Sequence, residues 1–408
     1  MKFSSLARMA ATGALLLILC GCGDTFRPVA SPIPTVTPDP QTFRMAVFTS
    51  SAPSGQGSAT DVDVSGDTIS AVTPVGSNPV FALAEATRVI VADQGSDSVT
   101  SFLPSLLAIS GQQTTALPSG AAPVSLADVN GNVYVAESGR GVVGVLTGSP
   151  LALSAEIPVG SAPVSLTGLA NGTKVYAVNQ GSNSVTSIST RDNTVFATIP
   201  VGTAPAWAVA SPDSSRVYVV NKGSGTVTAI DATTDSPVAN AGNPVTVGSS
   251  PNFAFFDSQL QRVLVTNSGS NSVSIINADP ISPNYLSVTN VTVGSNPVSV
   301  TALADGTRSY VANQGSNNVS VINNSSLTVS KTIPIGIAPV SIASDAESAK
   351  VITANSGSQD LSVILTSNDT ELLDSNGNRP LKAPQVDSTC MGASCPRQTP
   401  NFVAVGPG

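Results

Sequence analysis

The sequence predicts an all-β fold, a β-propeller of eight blades, on three observations. The first is a hairpin text, typified by Arg216 to Asp231, RVYVVNKGSGTVTAID, in which two runs rich in β-branched and aromatic residues flank a turn carrying Gly223 and Ser224. Its turn glycine recurs as Gly95, Gly139, Gly181, Gly223, Gly269, Gly315 and Gly357, at steps of 44, 42, 42, 46, 46 and 42 residues. The second is a Gly-x-x-Pro marker ahead of each hairpin: Gly76/Pro79, Gly120/Pro123, Gly160/Pro163, Gly202/Pro205, Gly248/Pro251, Gly294/Pro297 and Gly336/Pro339. Two markers in one register, with a period in the forties that holds about four strands, describe a propeller blade that buries its apolar face on its neighbours. The third lies at the termini. The first copy lacks an opening strand, and Pro400 to Val405, PNFVAV, repeats the opening-strand text PNFAFF from Pro251 to Phe256.

In chain order, Lys2 and Arg8 precede an apolar run from Ala14 to Leu19, too short to span a bilayer and shaped like a secretory signal. The run ends Leu19-Cys20-Gly21-Cys22, which resembles a bacterial lipobox with the small residue Gly21 ahead of Cys22. That resemblance implies a signal peptide over residues 1–21 and lipidation of Cys22, hence a lipoprotein held to a membrane of the cell envelope. An ordinary signal with two incidental cysteines is the alternative. Gly23 stands where an aspartate would favour inner-membrane retention, so the outer membrane is expected over the inner.

Residues 22–42 carry Pro28, Pro32, Pro34, Pro38 and Pro40 among Ser and Thr, the composition of an extended spacer rising roughly 3 Å per residue. Residues 43–408 then form one propeller domain, with a tail over 366–399 and a closing strand over 400–405. Cys390 and Cys395 are the thiols left in the mature chain, and in an oxidising periplasm they form a local disulfide.

Within the repeat that opens at Pro163, four strands a to d read VSLTGLA, KVYAVN, SVTSIST and TVFATIPVG. Strand b opens at Arg44, Arg88, Asn132, Lys174, Arg216, Arg262, Arg308 and Lys350, which gives eight blades with the first built from both termini. A seven-bladed ring with the first copy as a leader is the alternative. The strings RVYVVNKGSGTVTAID, RVLVTNSGSNSVSIIN and RSYVANQGSNNVSVIN resemble the YVTN β-propeller repeat, found also in YncE-like periplasmic proteins. The likeness covers about residues 44 to 365 plus the terminal strand. It departs where Ser51 to Gly57 enlarges a hairpin loop and where strand d is hard to find after Leu365. It implies a propeller in the envelope and no single activity.

Composition narrows the chemistry. The chain holds 17 basic and 25 acidic residues and no histidine. Net negative charge disfavours a nucleic-acid partner, because phosphate binding rests on basic patches. Without an imidazole, Ser/His or Cys/His catalysis and a Cys/His metal site are not expected, and no cofactor or catalytic residue is assigned. The lone tryptophan, Trp207, lies in a strand a and is expected to pack between blades.

Alternating strands put the b–c turns and d–a connections on one face, a ring of nearly uncharged Gly, Ser, Asn and Gln loops. Its candidate binding residues are Asp93, Asp97, Glu137, Asn179, Asn221, Asn267, Asn313 and Asn355. Asp and Asn also cap turns by bonding the backbone, so the recurring slot reads equally as structural. On the other face, the basic residue that opens most b strands is expected to pair with acidic loops at the surface, at under about 1 kcal/mol each. The preferred function is a monomeric, non-enzymatic envelope propeller that binds a protein or surface ligand. The alternative is a metal-dependent hydrolase or lactonase acting at the channel, which requires three or more convergent carboxylates there.

Overall fold

A computed structural model describes residues 45–405, apart from 53–54, 65, 86–87, 104–109, 241, 346–349 and 387–395. The expected lipidation at Cys22, the tether and the expected Cys390–Cys395 disulfide lie outside the described residues. Eight antiparallel sheets make up the fold, each with strand a innermost and strands b, c and d outward, and in all but the first the strands follow in that order along the chain. In blade 4 these are Pro163–Gly168, Lys174–Asn179, Ser184–Ser189 and Val195–Pro200. Strands b and c carry the core because every residue of Ser184–Ser189, and all but the first of Lys174–Asn179, is buried. Edge strand d alternates toward solvent.

Blade 1 joins the two ends of the chain. Its strands b, c and d are Met45–Ser51, Gln56–Asp63 and Thr68–Ser77, and Thr399–Val405 supplies strand a. That strand pairs antiparallel with strand b, Ala46 opposite Val405 and Ser50 opposite Pro400. Successive a strands touch around the whole ring, the a strand of blade 1 meeting those of blades 2 and 8. The ring is therefore closed with eight blades.

The tail completes blade 8. Strand d begins as Thr370–Glu371, a short stub opposite Ile364 and Leu365. The chain then loops out and returns, with Leu361 N–H donating to Leu381 O and Ala383 N–H to Gln359 O. Leu381 and Ala383 are buried against Phe48, Val62, Ile352 and Leu361. Strand d of this blade is thus split by an insertion, as it is in blade 5 into Ser236–Pro237 and Val245–Thr246, which removes the continuous apolar alternation that marks it in the other blades.

Blades are pinned to one another across the a–b and c–d face. Lys174 and Tyr176 of blade 4 both reach Asp235 in the c–d turn of blade 5, Nζ at 2.6 Å and the hydroxyl at 2.6 Å. Arg308 and Tyr310 of blade 7 repeat this on Asp369 of blade 8, at 2.6 and 2.5 Å. Lys350 of blade 8 donates to both oxygens of Asp67 in blade 1, at 2.7 Å, so the pin also spans the closure. These pairs are not the surface pairs expected from sequence: Lys174 and Asp235 keep only 13% and 11% of their side-chain exposure. Burial first, and the Asp235 carboxylate second, push the Tyr176 hydroxyl well above its ordinary pKa. Asp235→Ala leaves the mostly buried Lys174 ammonium and Tyr176 phenol with Ala232 O as their remaining acceptor, in place of a carboxylate, and is expected to cost about 1 to 2 kcal/mol in urea unfolding. Asp192→Ala in an exposed turn should change little, and equal effects would show that the pin contributes nothing.

Candidate functional site

The slot that ends strand b carries seven of the eight candidate residues, and the register explains where they point. Asn179 is the last paired residue of its strand, opposite Ser184, so its side chain enters the sheet interior rather than the loop face. Asp93, Glu137, Asn179, Asn221, Asn267, Asn313 and Asn355 are all 0% exposed. Asn179 Nδ2 donates to Ser184 Oγ at 3.3 Å and Thr186 Oγ1 at 2.9 Å on strand c. The same fork runs from Asn221 to Thr226 and Thr228, from Asn267 to Ser272 and Ser274, from Asn313 to Asn318 and Ser320, and from Asn355 to Asp360 and Ser362. A hydroxyl seven residues after each asparagine is the sequence signal of this clamp. These residues hold hairpins, and the face above them is formed by other side chains.

The two acidic versions of the slot keep the logic. Asp93 accepts from Thr100 Oγ1 at 2.6 Å, and burial raises its pKa to about 6 against the opposing hydroxyl bonds. Glu137 is longer and finds room because Gly144 faces it; a Cβ there would lie 2.5 Å from Glu137 Oε1. Arg140 Nη1 donates to its other oxygen at 2.6 Å, while burial is the larger influence and pushes the carboxyl up. The marker glycine fits the same packing: a Cβ on Gly160 would meet Asn179 Cβ at 2.7 Å.

Asp97 is the eighth candidate and sits apart from the others, partly exposed in the b–c turn. Its two oxygens accept from the Gly120 and Ala122 N–H groups of the next d–a loop, both at 2.8 Å, which holds its carboxyl below the usual range. Asn183, Asn271 and Asn317 do the same for Ala204, Asn296 and Ala338. The b–c face is consequently a ring of turns of which those of blades 2, 4, 6 and 7 are braced on the next loop, with Gln94, Gln180, Lys222, Ser268 and Gln314 next to the buried slots.

The channel differs in character. Toward the a–b face its wall forms two cavities of about 530 and 410 Å³. The smaller is mainly apolar and the larger mixes polar and apolar surface, with Leu83, Leu126, Leu166, Trp207 and Ile342 among the lining residues, and Phe253 and Phe255 border both. The Trp207 ring lies 4.8 Å from Phe253 and 6.4 Å from Phe81, which is 4.7 Å from Phe402. Trp207 therefore packs beside blade 6, as expected of an inter-blade residue, and also reaches across the channel to blade 2. Of the carboxylates at this mouth, Asp128 pairs with Arg88, and Asp257 Oδ1 accepts from the N–H groups of Gln259 and Leu260 at 3.0 and 3.1 Å. Among the described residues, no group of three or more carboxylates or thiols gathers into a metal-sized cluster.

One unusual group escapes the sequence reading altogether. Asp61, on strand c of blade 1, is 0% exposed, neither oxygen has a hydrogen-bond partner, and burial raises its pKa to about 7. It occupies the register position of Val145, Val321 and Val363 in blades 3, 7 and 8. Thr49 and Thr73, which flank Ala59 on the same side of the sheet, are also buried with unpartnered hydroxyls.

No family model matches the sequence, and no curated protein matches it. Solved structures do match. Dihydro-heme d1 dehydrogenase NirN, solved in complex with DHE, superposes with a TM-score of 0.65 at 13% identity over 81% of this chain and 72% of its own. AztD from Citrobacter koseri gives 0.61 at 10% identity over 90% and 99% of the two chains. Hydrazine synthase from Kuenenia stuttgartiensis gives 0.57 at 17% identity over 71% and 96%. The likeness is one of fold. Proteins named so differently share it, so the activity has to be argued from this chain's own surfaces.

Proposed function

We propose that the protein is a non-enzymatic binding propeller of the YVTN, YncE-like type, carried on the cell envelope by a lipid on Cys22 and presenting its b–c face to a protein or surface ligand. The observation that carries the reading is the cross-bracing of that face. In blades 2, 4, 6 and 7 the turn is fixed by a buried clamp below and by a neighbouring loop beside it, which lowers the ordering cost of binding at those tips. The hydrolase alternative draws less support, because Asp128 at the channel mouth pairs with Arg88, Asp257 caps its own loop through Oδ1, and no three carboxylates converge there among the described residues.

The outer membrane is the proposed site, with Cys390 and Cys395 joined as a disulfide in the tail. The test places a photo-crosslinking residue at Gln180 or Gln314 on the b–c face, or at Asp192 on the opposite face, in cells that make either the wild type or Cys22→Ser. Discrete adducts from the first two positions only, lost when Cys22→Ser releases the protein from membranes, are the expected result. Adducts from Asp192 alone, or turnover of lactones by the purified protein with added calcium or magnesium, would overturn it.

A further inference from the structure

We infer that the channel mouth on the a–b face is a binding site for an uncharged, flat, apolar small molecule that carries a hydrogen-bond acceptor, with Trp207 at its floor. This site lies at the opposite end of the channel from the b–c face and does not depend on the reading above. Its two cavities, of about 530 and 410 Å³, share Phe253 and Phe255 as a common border. Each falls in the range of roughly 300 to 1,000 Å³ typical of small-molecule sites. Rings from blades 1, 2, 5 and 6, namely Phe402, Phe81, Trp207 and Phe253, form a chain of tilted contacts that spans the channel beside these cavities. All four are only partly buried, whereas the apolar side chains between blades are close to fully buried. A concave site bordered by partly exposed rings gains free energy when a flat apolar body displaces water from it.

The charge class follows from what the mouth already contains. Arg88 is held by Glu85 and Asp128, and Asp257 caps its own loop through Oδ1, its Oδ2 being buried out of reach of solvent and without a protein partner. The chain's net charge of −8 opposes an anion. The acceptor follows from Trp207, whose indole Nε1 is buried and donates to no protein atom. Buried indole N–H groups ordinarily have an acceptor, which in the proposed complex a ligand carbonyl supplies.

Trp207 is the only tryptophan in the chain, so its emission reports on this site alone. Titration of the full-length protein with prodan, a neutral naphthalene ketone, should give saturable quenching of Trp207 and a blue shift of the probe. Thr167→Phe, which fills the larger cavity from its wall, should weaken binding roughly tenfold or more at an unchanged melting temperature. Trp207→Phe keeps an aromatic floor without the N–H; it should weaken prodan about fivefold, followed by the probe's own emission, and leave the parent dimethylaminonaphthalene unaffected. Uptake that never saturates, saturable binding that both variants leave unchanged, or tighter binding of an anionic naphthalene sulfonate would overturn the proposal.

Discussion

Removal of residues 399–408 is expected to lower the unfolding free energy by roughly 5 kcal/mol or more, while removal of ten residues from the proline-rich stretch should change it by less than about 0.5 kcal/mol. The deleted strand Thr399–Val405 forms the inner edge of blade 1, and its loss exposes the paired backbone groups of Ala46 to Ser51 beside the channel. Val403 is 2% exposed, in a core with Ala46, Phe48, Leu361 and Val363, and Phe402 stacks on Phe81. Two such side chains contribute about 1.5 to 3 kcal/mol each when fully buried, before the strand ladder is counted. Urea unfolding of the two truncations checks this. A truncation at residue 398 with an unchanged midpoint would mean that the terminal strand does not close the ring in solution. Rescue of the truncated protein by a synthetic peptide of residues 399–405 would show in addition that the groove in blade 1 persists without it.

That closure was legible because the strand-a text is repeated whole, PNFVAV after PNFAFF, and because a missing strand at one end has one source at the other. The side-chain directions at the turns were less legible. A polar residue next to a turn reads as part of a loop face, yet Asn179 is still paired with Ser184 and therefore points inward. The hydroxyl seven residues on, Thr186 for Asn179 and Thr228 for Asn221, is visible in the sequence, but it becomes a clamp only once hairpin register is known. The inter-blade pins were hidden by distance: Lys174 and Asp235 are 61 residues apart, as are Arg308 and Asp369, so no window on a single repeat contains both. Strand d of blade 8 was missed because the insertion between Glu371 and Leu381 divides its apolar pattern. The aromatic mouth was hidden for a related reason, since Phe81, Trp207, Phe253 and Phe402 come from four blades and meet only when the ring closes.

Asp61 was the least visible feature and should have the second large effect. In the text DVDVS it looks like a solvent-facing residue of an alternating strand, but blade 2 covers that side of blade 1, where Val47, Ala59 and Val75 pack against Val89, Val91 and Phe102. The carboxyl on the facing side of blade 2, Asp93, is itself buried and raised to about 6, and burial alone accounts for the rise at Asp61. Burial raises Asp61 from 3.8 to about 7, which means the folded state binds its proton more tightly than the unfolded state does. Its favourable contribution is complete below pH 3.8 and is lost as pH rises to about 7. At about 1.4 kcal/mol per unit, the three-unit interval corresponds to a loss of up to about 4 kcal/mol. Carboxylates held low, such as Asp97 and Asp213, act in the opposite sense, so the wild-type profile alone would mix the two. Asp61→Val restores the residue found at this register in blades 7 and 8 and removes only the Asp61 part. The variant should therefore gain little over wild type near pH 4 and about 3 to 4 kcal/mol near pH 8, read from urea midpoints at the two pH values. An advantage that is the same at both pH values would assign the gain to packing and show that Asp61 does not titrate between them.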